Sequence, residues 1–250
     1  MTQDILPLIA GNWKMNGLGD ALSEVEQLAE LLLAQPPECS VVICPPATLV
    51  SDLAALGGPA GISAGGQDCH AAPNGAHTGD ISAAMLADAG ARYVIVGHSE
   101  RRTDHHETDD LVLAKAKAAI EARLIPIICV GESRAEREAG QALDVVSRQL
   151  AASIPEEVAD AFFVVAYEPV WAIGTGLTPT SADIAQMHAA IRAQLVERFG
   201  EIGQGTHILY GGSLKPANAR EILAIDNVDG GLVGGASLLA KDFHAIISAV

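Results

Sequence analysis

The stretch AYEPVWAIGTG, Ala166 to Gly176, closes the apolar run Phe162, Phe163, Val164, Val165, Ala166. A run of this kind reads as a strand buried on both faces, so Glu168 stands at the C-terminal end of that strand. That is where α/β barrels and open sheets carry their chemistry. Pro169 then ends strand pairing and restricts φ, Trp171 follows, and Gly174 and Gly176 flank Thr175. A stiff start and a glycine-rich tip describe a hinged lid. Beside a strand-end carboxylate, a lid suits a base that works with water excluded. A lone Glu-Pro would read more simply as a surface glutamate before a loop; the full string argues against that.

The chain has 250 residues, 49% of them hydrophobic, which suffices for a full core and matches the size of one α/β barrel. With 15 basic and 31 acidic residues the formal net charge is −16, which disfavours nucleic-acid or anionic-membrane partners recruited by bulk charge. An anionic ligand must therefore be held by local groups. Cys39, Cys44, Cys69 and Cys129 show no C-x-x-C spacing and read as buried free thiols in a reducing compartment, with no metal site. No basic segment with a long apolar core opens the chain, and no run of eighteen apolar residues occurs. These features predict a soluble, cytoplasmic protein.

Outward from Glu168, short apolar runs alternate with longer amphipathic stretches. Leu8–Ala10 leads into GNWKMNG, Val41–Ile43 into Cys44-Pro45-Pro46, Ile62–Ala64 into GGQDCH and Tyr93–Val96 into GHSERR. Ile125–Val130 leads into Gly131-Glu132, His207–Tyr210 into GGSLKP and Gly231–Val233 into GGASL. The intervening stretches read as helices. The one after Glu132 is expected to place Ala139, Leu143, Val146 and Leu150 on one face. The one near Asp109 should likewise align Leu113, Ala116, Ile120 and Leu124. Ser181 is the expected N-cap of a helix burying Ile184, Met187, Ile191 and Leu195. Eight strand-then-helix units predict right-handed crossovers and a closed (β/α)₈ barrel in one domain spanning residues 1–250. No G-x-G-x-x-G follows the first strand, so a nucleotide-binding open sheet has little support.

A barrel brings the residues after each strand to one rim: Asn12 and Lys14, Gln67, His98 with Ser99 and Glu100, Glu132, Glu168, Gly211-Gly212-Ser213, and Gly234-Gly235. A carboxylate base, an imidazole, an ammonium and glycine turns exposing N–H groups are the parts required to move a proton beside the carbonyl of a phosphorylated substrate. Taken singly, each has a plainer reading. Lys14 could be a solvated lysine, His98 a structural histidine, and the last glycines tight turns. A phosphate site between the last two loops is nevertheless a recurrent barrel feature, and a helix starting after Gly235 would add its dipole.

Together GNWKMNG, VGHSERR, ICVGE, AYEPVWAIGTG, YGGSLKP and LVGGASL resemble the triosephosphate isomerase family from the first strand to the last helix. The resemblance implies a homodimeric barrel that interconverts dihydroxyacetone phosphate and glyceraldehyde 3-phosphate through an enediolate, with no metal or organic cofactor. It implies Glu168 as the base and His98 as the neutral electrophile, the family being an established example of an imidazole kept uncharged at a helix N-terminus. Lys14, oriented with Asn12, would stabilise the enediolate, and Glu100 would orient Lys14. Backbone N–H groups at Gly174, Ser213, Gly234 and Gly235 would hold the phosphate. The third loop, roughly Ala72 to Asp80, would reach across to the partner near Asn12 and Lys14.

Three positions depart from the family pattern: Leu214 for valine, His77 for an aromatic and Asp80 for glutamate. The first bears on packing and the other two on the dimer contact. The competing readings are a Schiff-base aldolase using Lys14, disfavoured by the polar Asn12 and Glu100; a tetrose-phosphate isomerase, which needs the same proton transfer; and a non-catalytic barrel, disfavoured by the intact Lys14, His98 and Glu168.

Overall fold

Eight short runs rich in Val, Ile and Leu form eight parallel strands: β1 Leu8–Asn12, β2 Ser40–Cys44, β3 Ile62–Gly66, β4 Ala91–Val96, β5 Ile125–Val130, β6 Val164–Tyr167, β7 His207–Tyr210 and β8 Gly230–Val233. They close in sequence order into a barrel, β8 pairing with β1 at Leu8↔Gly230 through Gly11↔Val233. The computed structural model describes residues 5–156, 162–173 and 179–250. Because side chains alternate along a strand, one set fills the barrel interior (Leu8, Ala10, Val42, Cys44, Ile95, Ile127, Cys129, Val164, Ala166, Leu209, Leu232). The alternate set, including Ile9, Val41, Ile43, Val94, Val96, Ile128, Val165 and Ile208, packs beneath the surrounding helices. Burial on both faces is why these strands read as continuous apolar runs.

The helices are α1 Leu22–Ala34, α2 Val50–Gly57, α3 Ala83–Asp88, α4 Ser99–Asp104, α5 Asp109–Glu121, α6 Arg134–Glu138, α7 Ala142–Ser153, α8 Ser181–Phe199, α9 Glu201–Gly205, α10 Ala219–Leu223 and α11 Ala240–Ile247. Helical detail corrects the sequence expectation in several places. The charged segment after Glu132 is two helices, split by a turn with Gly140 at φ +73°. The turn resets the helical phase, so α7 buries Val145, Val146, Gln149 and Leu150 while Leu143 is exposed. On α5 the buried face is Val112, Lys115, Ala116 and Ala119. A lysine can lie there because its Nζ meets Asp68 at 2.7 Å and Glu107 at 2.5 Å. Thr180, not Ser181, caps α8, forming a capping box with Asp183. The expected apolar stripe of Ile184, Met187, Ile191 and Leu195 is buried.

α8 also carries His188 into the core, fully buried, with Nδ1 at 2.9 Å from the carbonyl oxygen of Asn227 and its ring edge-on to Tyr167. Burial drives its pKa down from the ordinary 6.5 to about 4, the Asn227 carbonyl offsetting only part of that cost and Arg192 adding to it. Between these values the unfolded chain holds a proton that the folded chain does not. Stability is therefore expected to fall as pH drops from about 6.5 towards 4, by about 3 kcal/mol from this residue alone. Denaturant midpoints at pH 7 and pH 5 should show a smaller acid loss in His188→Gln than in the unsubstituted chain; equal losses would contradict it.

Candidate active site

Of the rim residues, Asn12, Lys14, His98, Glu168, Gly211, Gly212, Ser213, Gly234 and Gly235 line one cavity of about 600 Å³, while Gln67, Ser99 and Glu132 lie outside its lining. Glu100 lies outside this lining but touches two of its members. Gly174 lies outside the described residues, as does most of the lid tip from Ala172 to Gly176.

Glu168 emerges where β6 ends, its N–H donating to Val130 O at 2.8 Å, and its side chain is almost fully buried. Three donors converge on the carboxylate. The Ser99 N–H reaches Oε2 at 2.9 Å, the Ser99 hydroxyl reaches Oε1 at 3.2 Å, and His98 Nε2 lies 2.9 Å from Oε1. His98 is the N-cap of α4, and its Nδ1 accepts the Glu100 N–H at 3.3 Å. Burial alone would raise the carboxyl pKa; the His98 and Ser99 contacts outweigh it and leave Glu168 below the usual carboxylate value. Burial likewise opposes a charged ring at His98, but the Glu168 carboxylate outweighs it and raises the imidazole pKa. The Nδ1 geometry points the other way, since a nitrogen that accepts a backbone N–H at a helix N-terminus carries no proton. The ring is therefore neutral with its hydrogen on Nε2, and the raising contact, Glu168, is one that a substrate in the cavity would displace.

Lys14 follows β1 with its backbone at φ +53°. Its N–H donates to Asn12 Oδ1 at 2.9 Å, and its ammonium meets Glu100 Oε1 at 2.5 Å. Asn12 and Glu100 thus both contact Lys14. After β7, Gly211 and Gly212 are required by close approach: a Cβ on Gly211 would stand 2.9 Å from Glu168 Cγ, and one on Gly212 would overlap the Tyr210 ring. After β8, Gly235–Ser237 form a 3₁₀ turn, and the helix expected directly after Gly235 begins only at Ala240. The Ala240 N–H donates to Glu24 Oε2 at 2.7 Å, whereas the helical start at Gly235 is the 3₁₀ turn itself, whose Gly235 and Ala236 line the cavity.

The segment after Glu168 is tied to the fold by Glu132, which is fully buried. Its Oε1 accepts from the Tyr167 hydroxyl at 3.1 Å and from Trp171 Nε1 at 2.8 Å, and Arg137 stacks over the Trp171 ring at 4.4 Å. Glu132 and Ser99 carry no task legible in the sequence; in the fold Glu132 bonds Tyr167 and Trp171, and Ser99 grips Glu168. Away from the cavity, His70, His77 and Asp80 bring one potential ligand atom each within 4.8 Å of the others. The Ala72 N–H donates to His70 Nδ1 at 2.9 Å, which puts that ring's proton on Nε2, the atom facing Asp80. A nitrogen so protonated offers no lone pair to a metal. Leu214 is buried against Gly231, in keeping with a packing role for that departure.

A closed parallel (β/α)₈ barrel with a carboxylate, an imidazole and an ammonium on its C-terminal rim defines an enzyme of the aldose–ketose isomerase type. The family model described as triosephosphate isomerase matches residues 7–250. The chain belongs to the triosephosphate isomerase family. It is 61% identical to the triosephosphate isomerase of Afipia carboxidovorans, covering 100% of this chain and 99% of the relative. It is 57% identical to that of Rhizobium etli, covering 100% of this chain and 98% of the relative. The crystal structure of triosephosphate isomerase from Bartonella henselae superposes with a TM-score of 0.91 at 47% identity, covering 98% of this chain and 99% of that one. No helix among the described residues is long and apolar enough to cross a membrane.

Proposed function

We propose that the protein interconverts dihydroxyacetone phosphate and D-glyceraldehyde 3-phosphate, with residues 1–250 acting as one barrel unit in the cytoplasm. The observation that carries this reading is the convergence of Glu168 Oε1 and the His98 Nε2–H at 2.9 Å in a cavity shared with the Lys14 ammonium. In the resting site Glu168 is held by Ser99 and His98. Substrate entry exchanges those contacts: the substrate oxygens take the Nε2–H of His98, and Glu168 is freed to remove a proton from the carbon beside the carbonyl. The resulting enediolate carries negative charge that Lys14, held by Asn12 and Glu100, stabilises; His98 Nε2 gives its proton to the former carbonyl oxygen and takes one back from the neighbouring hydroxyl, and Glu168 returns the carbon-derived proton to the neighbouring carbon. Backbone N–H groups of Ser213, Gly234 and Gly235, joined by Gly174, hold the phosphate. At a net charge of −16 this works because Lys14 and the N–H dipoles act at short range in a closed cleft.

Incubated with dihydroxyacetone phosphate alone, in the presence of EDTA, the protein is expected to form glyceraldehyde 3-phosphate until the two sugars equilibrate. No aldehyde under these conditions would overturn the reading.

The reading includes a homodimer. Met15 and Leu18 after β1, and Ile81 and Met85 around the start of α3, present large apolar side chains to solvent, Met15 at 95% exposure. They flank the Lys14 loop and the third loop, and an apolar surface of this kind is suited to a self-complementary contact. His77, exposed and stacked on His70 at 3.9 Å between ring centroids, sits in the third loop. Sedimentation at micromolar concentration is expected to show a dimer at neutral and at mildly acid pH, in the unsubstituted chain and in His77→Phe. A monomer at neutral pH would contradict the dimer. Acid dissociation abolished by His77→Phe would instead make that histidine a switch.

A further inference from the structure

The loop that follows β7 lines the cavity from Gly211 to Pro216. Its two ends are tied by backbone hydrogen bonds: the Gly211 N–H donates to Tyr167 O at 2.7 Å, and the N–H groups of Asn218 and Ala219 both donate to Lys215 O, at 3.1 and 3.0 Å. Between these ties stands Ser213. The peptide that bears its N–H joins it to Gly212, and the pair Gly211-Gly212 has no Cβ to restrict how that peptide turns. The restraint comes from the other side. Leu214 is buried against Gly231, and the Asn218 side chain spans the loop: its Nδ2 donates to Ser213 O at 2.9 Å, while its Oδ1 accepts the Lys215 N–H at 2.7 Å. The amide has one orientation, since the opposite flip would set Oδ1 against the Ser213 carbonyl and the NH₂ against an N–H. Asn218 also occupies the N-cap of α10, yet its side chain makes no capping hydrogen bond to that helix. Its polar atoms serve the loop instead.

We propose that Asn218 is a positioning residue for phosphate binding: by holding Ser213 O and the Lys215 N–H on one amide, it fixes the loop in the conformation that presents the Ser213 N–H to the phosphate. The inference rests on the phosphate role proposed for Ser213. Asn218 is absent from the cavity lining, so it acts through the loop and not by contact with substrate. Without it the substrate must order the loop at each binding event, and that ordering subtracts from the affinity the phosphate supplies. Binding energy from a remote phosphate also lowers the barrier at the reacting carbons, so kcat falls while KM rises.

The test takes Asn218→Ala and Asn218→Ser and measures kcat and KM with glyceraldehyde 3-phosphate, the inhibition constant of inorganic phosphate, and the thermal midpoint. It adds kcat/KM with D-glyceraldehyde, the same aldose without its phosphate. Serine remains suited to the N-cap of α10, but its one polar atom stands a bond short of both loop partners. Both variants are expected to lower kcat/KM for glyceraldehyde 3-phosphate by about 10-fold and to raise the inhibition constant of phosphate by about 3- to 10-fold, the lower end of what one hydrogen bond to a charged group contributes. With D-glyceraldehyde the change should stay below about twofold, because no phosphate contact is there to be lost. The midpoint should fall by no more than about 4 °C. Equal losses with the two aldoses, no loss with the phosphorylated one, or activity restored by Asn218→Ser overturns this inference alone. If the unsubstituted chain turns over both aldoses with equal efficiency and phosphate does not inhibit it, the phosphate site itself is absent and the inference falls with it.

Discussion

Glu168→Gln is expected to leave the barrel folded and lower kcat by at least about 10²–10⁴-fold, the range that a positioned general base contributes. The substitution is isosteric, and an amide oxygen can still accept from Ser99 N–H. What it cannot do is take a proton from carbon. Both donors that converge on Oε1 would then meet an NH₂ group; the Ser99 hydroxyl can turn to accept from it, and the His98 Nε2–H loses its acceptor. Leaving one buried donor unpaired costs about 1–3 kcal/mol, small enough for a 250-residue barrel to remain folded. Affinity for phosphorylated ligands should change little, because the N–H groups proposed to hold the phosphate belong to the loops after β7 and β8 and not to the Glu168 side chain. Turnover at the unsubstituted rate in the purified variant would remove Glu168 from the role of base.

Lys14→Ala is expected to lower kcat/KM by about 10²–10³-fold, since it deletes a fixed positive charge facing developing negative charge. Stability should move much less. Lys14 and Glu100 have side-chain exposures of 27% and 49%, so the pair they form at 2.5 Å is screened by solvent and Glu100 is readily hydrated when its partner is gone. The same geometry separates the isomerase from a Schiff-base aldolase. An ammonium ion-paired with a carboxylate is a charged electrostatic group, not the neutral amine that attacks a carbonyl. Borohydride treatment in the presence of dihydroxyacetone phosphate is therefore expected to leave Lys14 unmodified; a covalent adduct on Lys14 would favour the aldolase.

The parts of the molecule legible in the sequence are those set by local pattern. Strands buried on both faces appear as unbroken apolar runs, and the residue after each run necessarily reaches the same rim, so Asn12, Lys14, His98, Glu168 and the last glycines are gathered by pattern alone. Features that depend on distant partners were not legible. Lys115 is buried because Asp68, 47 residues away in the chain, and Glu107 receive its charge. Ser99 grips Glu168 across 69 residues, and Gln67 reaches Lys14 across 53. The break between α6 and α7 and the capping of α8 by Thr180 are local, but there two adjacent signals competed. Gly140 outweighed the helical period, and the Thr180–Asp183 capping box outweighed Ser181. The helical start expected after Gly235 is a 3₁₀ turn of three residues, and α11 begins at Ala240 with its first N–H taken by Glu24.

The central claim is that this cavity shuttles a proton on a three-carbon sugar phosphate. It is tested most directly by measuring kcat/KM in coupled assays with glyceraldehyde 3-phosphate and erythrose 4-phosphate side by side. One added carbon bearing a hydroxyl is worth about 10- to 200-fold when a pocket is fitted to the shorter substrate. The triose phosphate is therefore expected to be turned over at least about tenfold more efficiently than the tetrose phosphate. Preference for the tetrose phosphate, or no turnover of either sugar by a folded protein, would contradict the account.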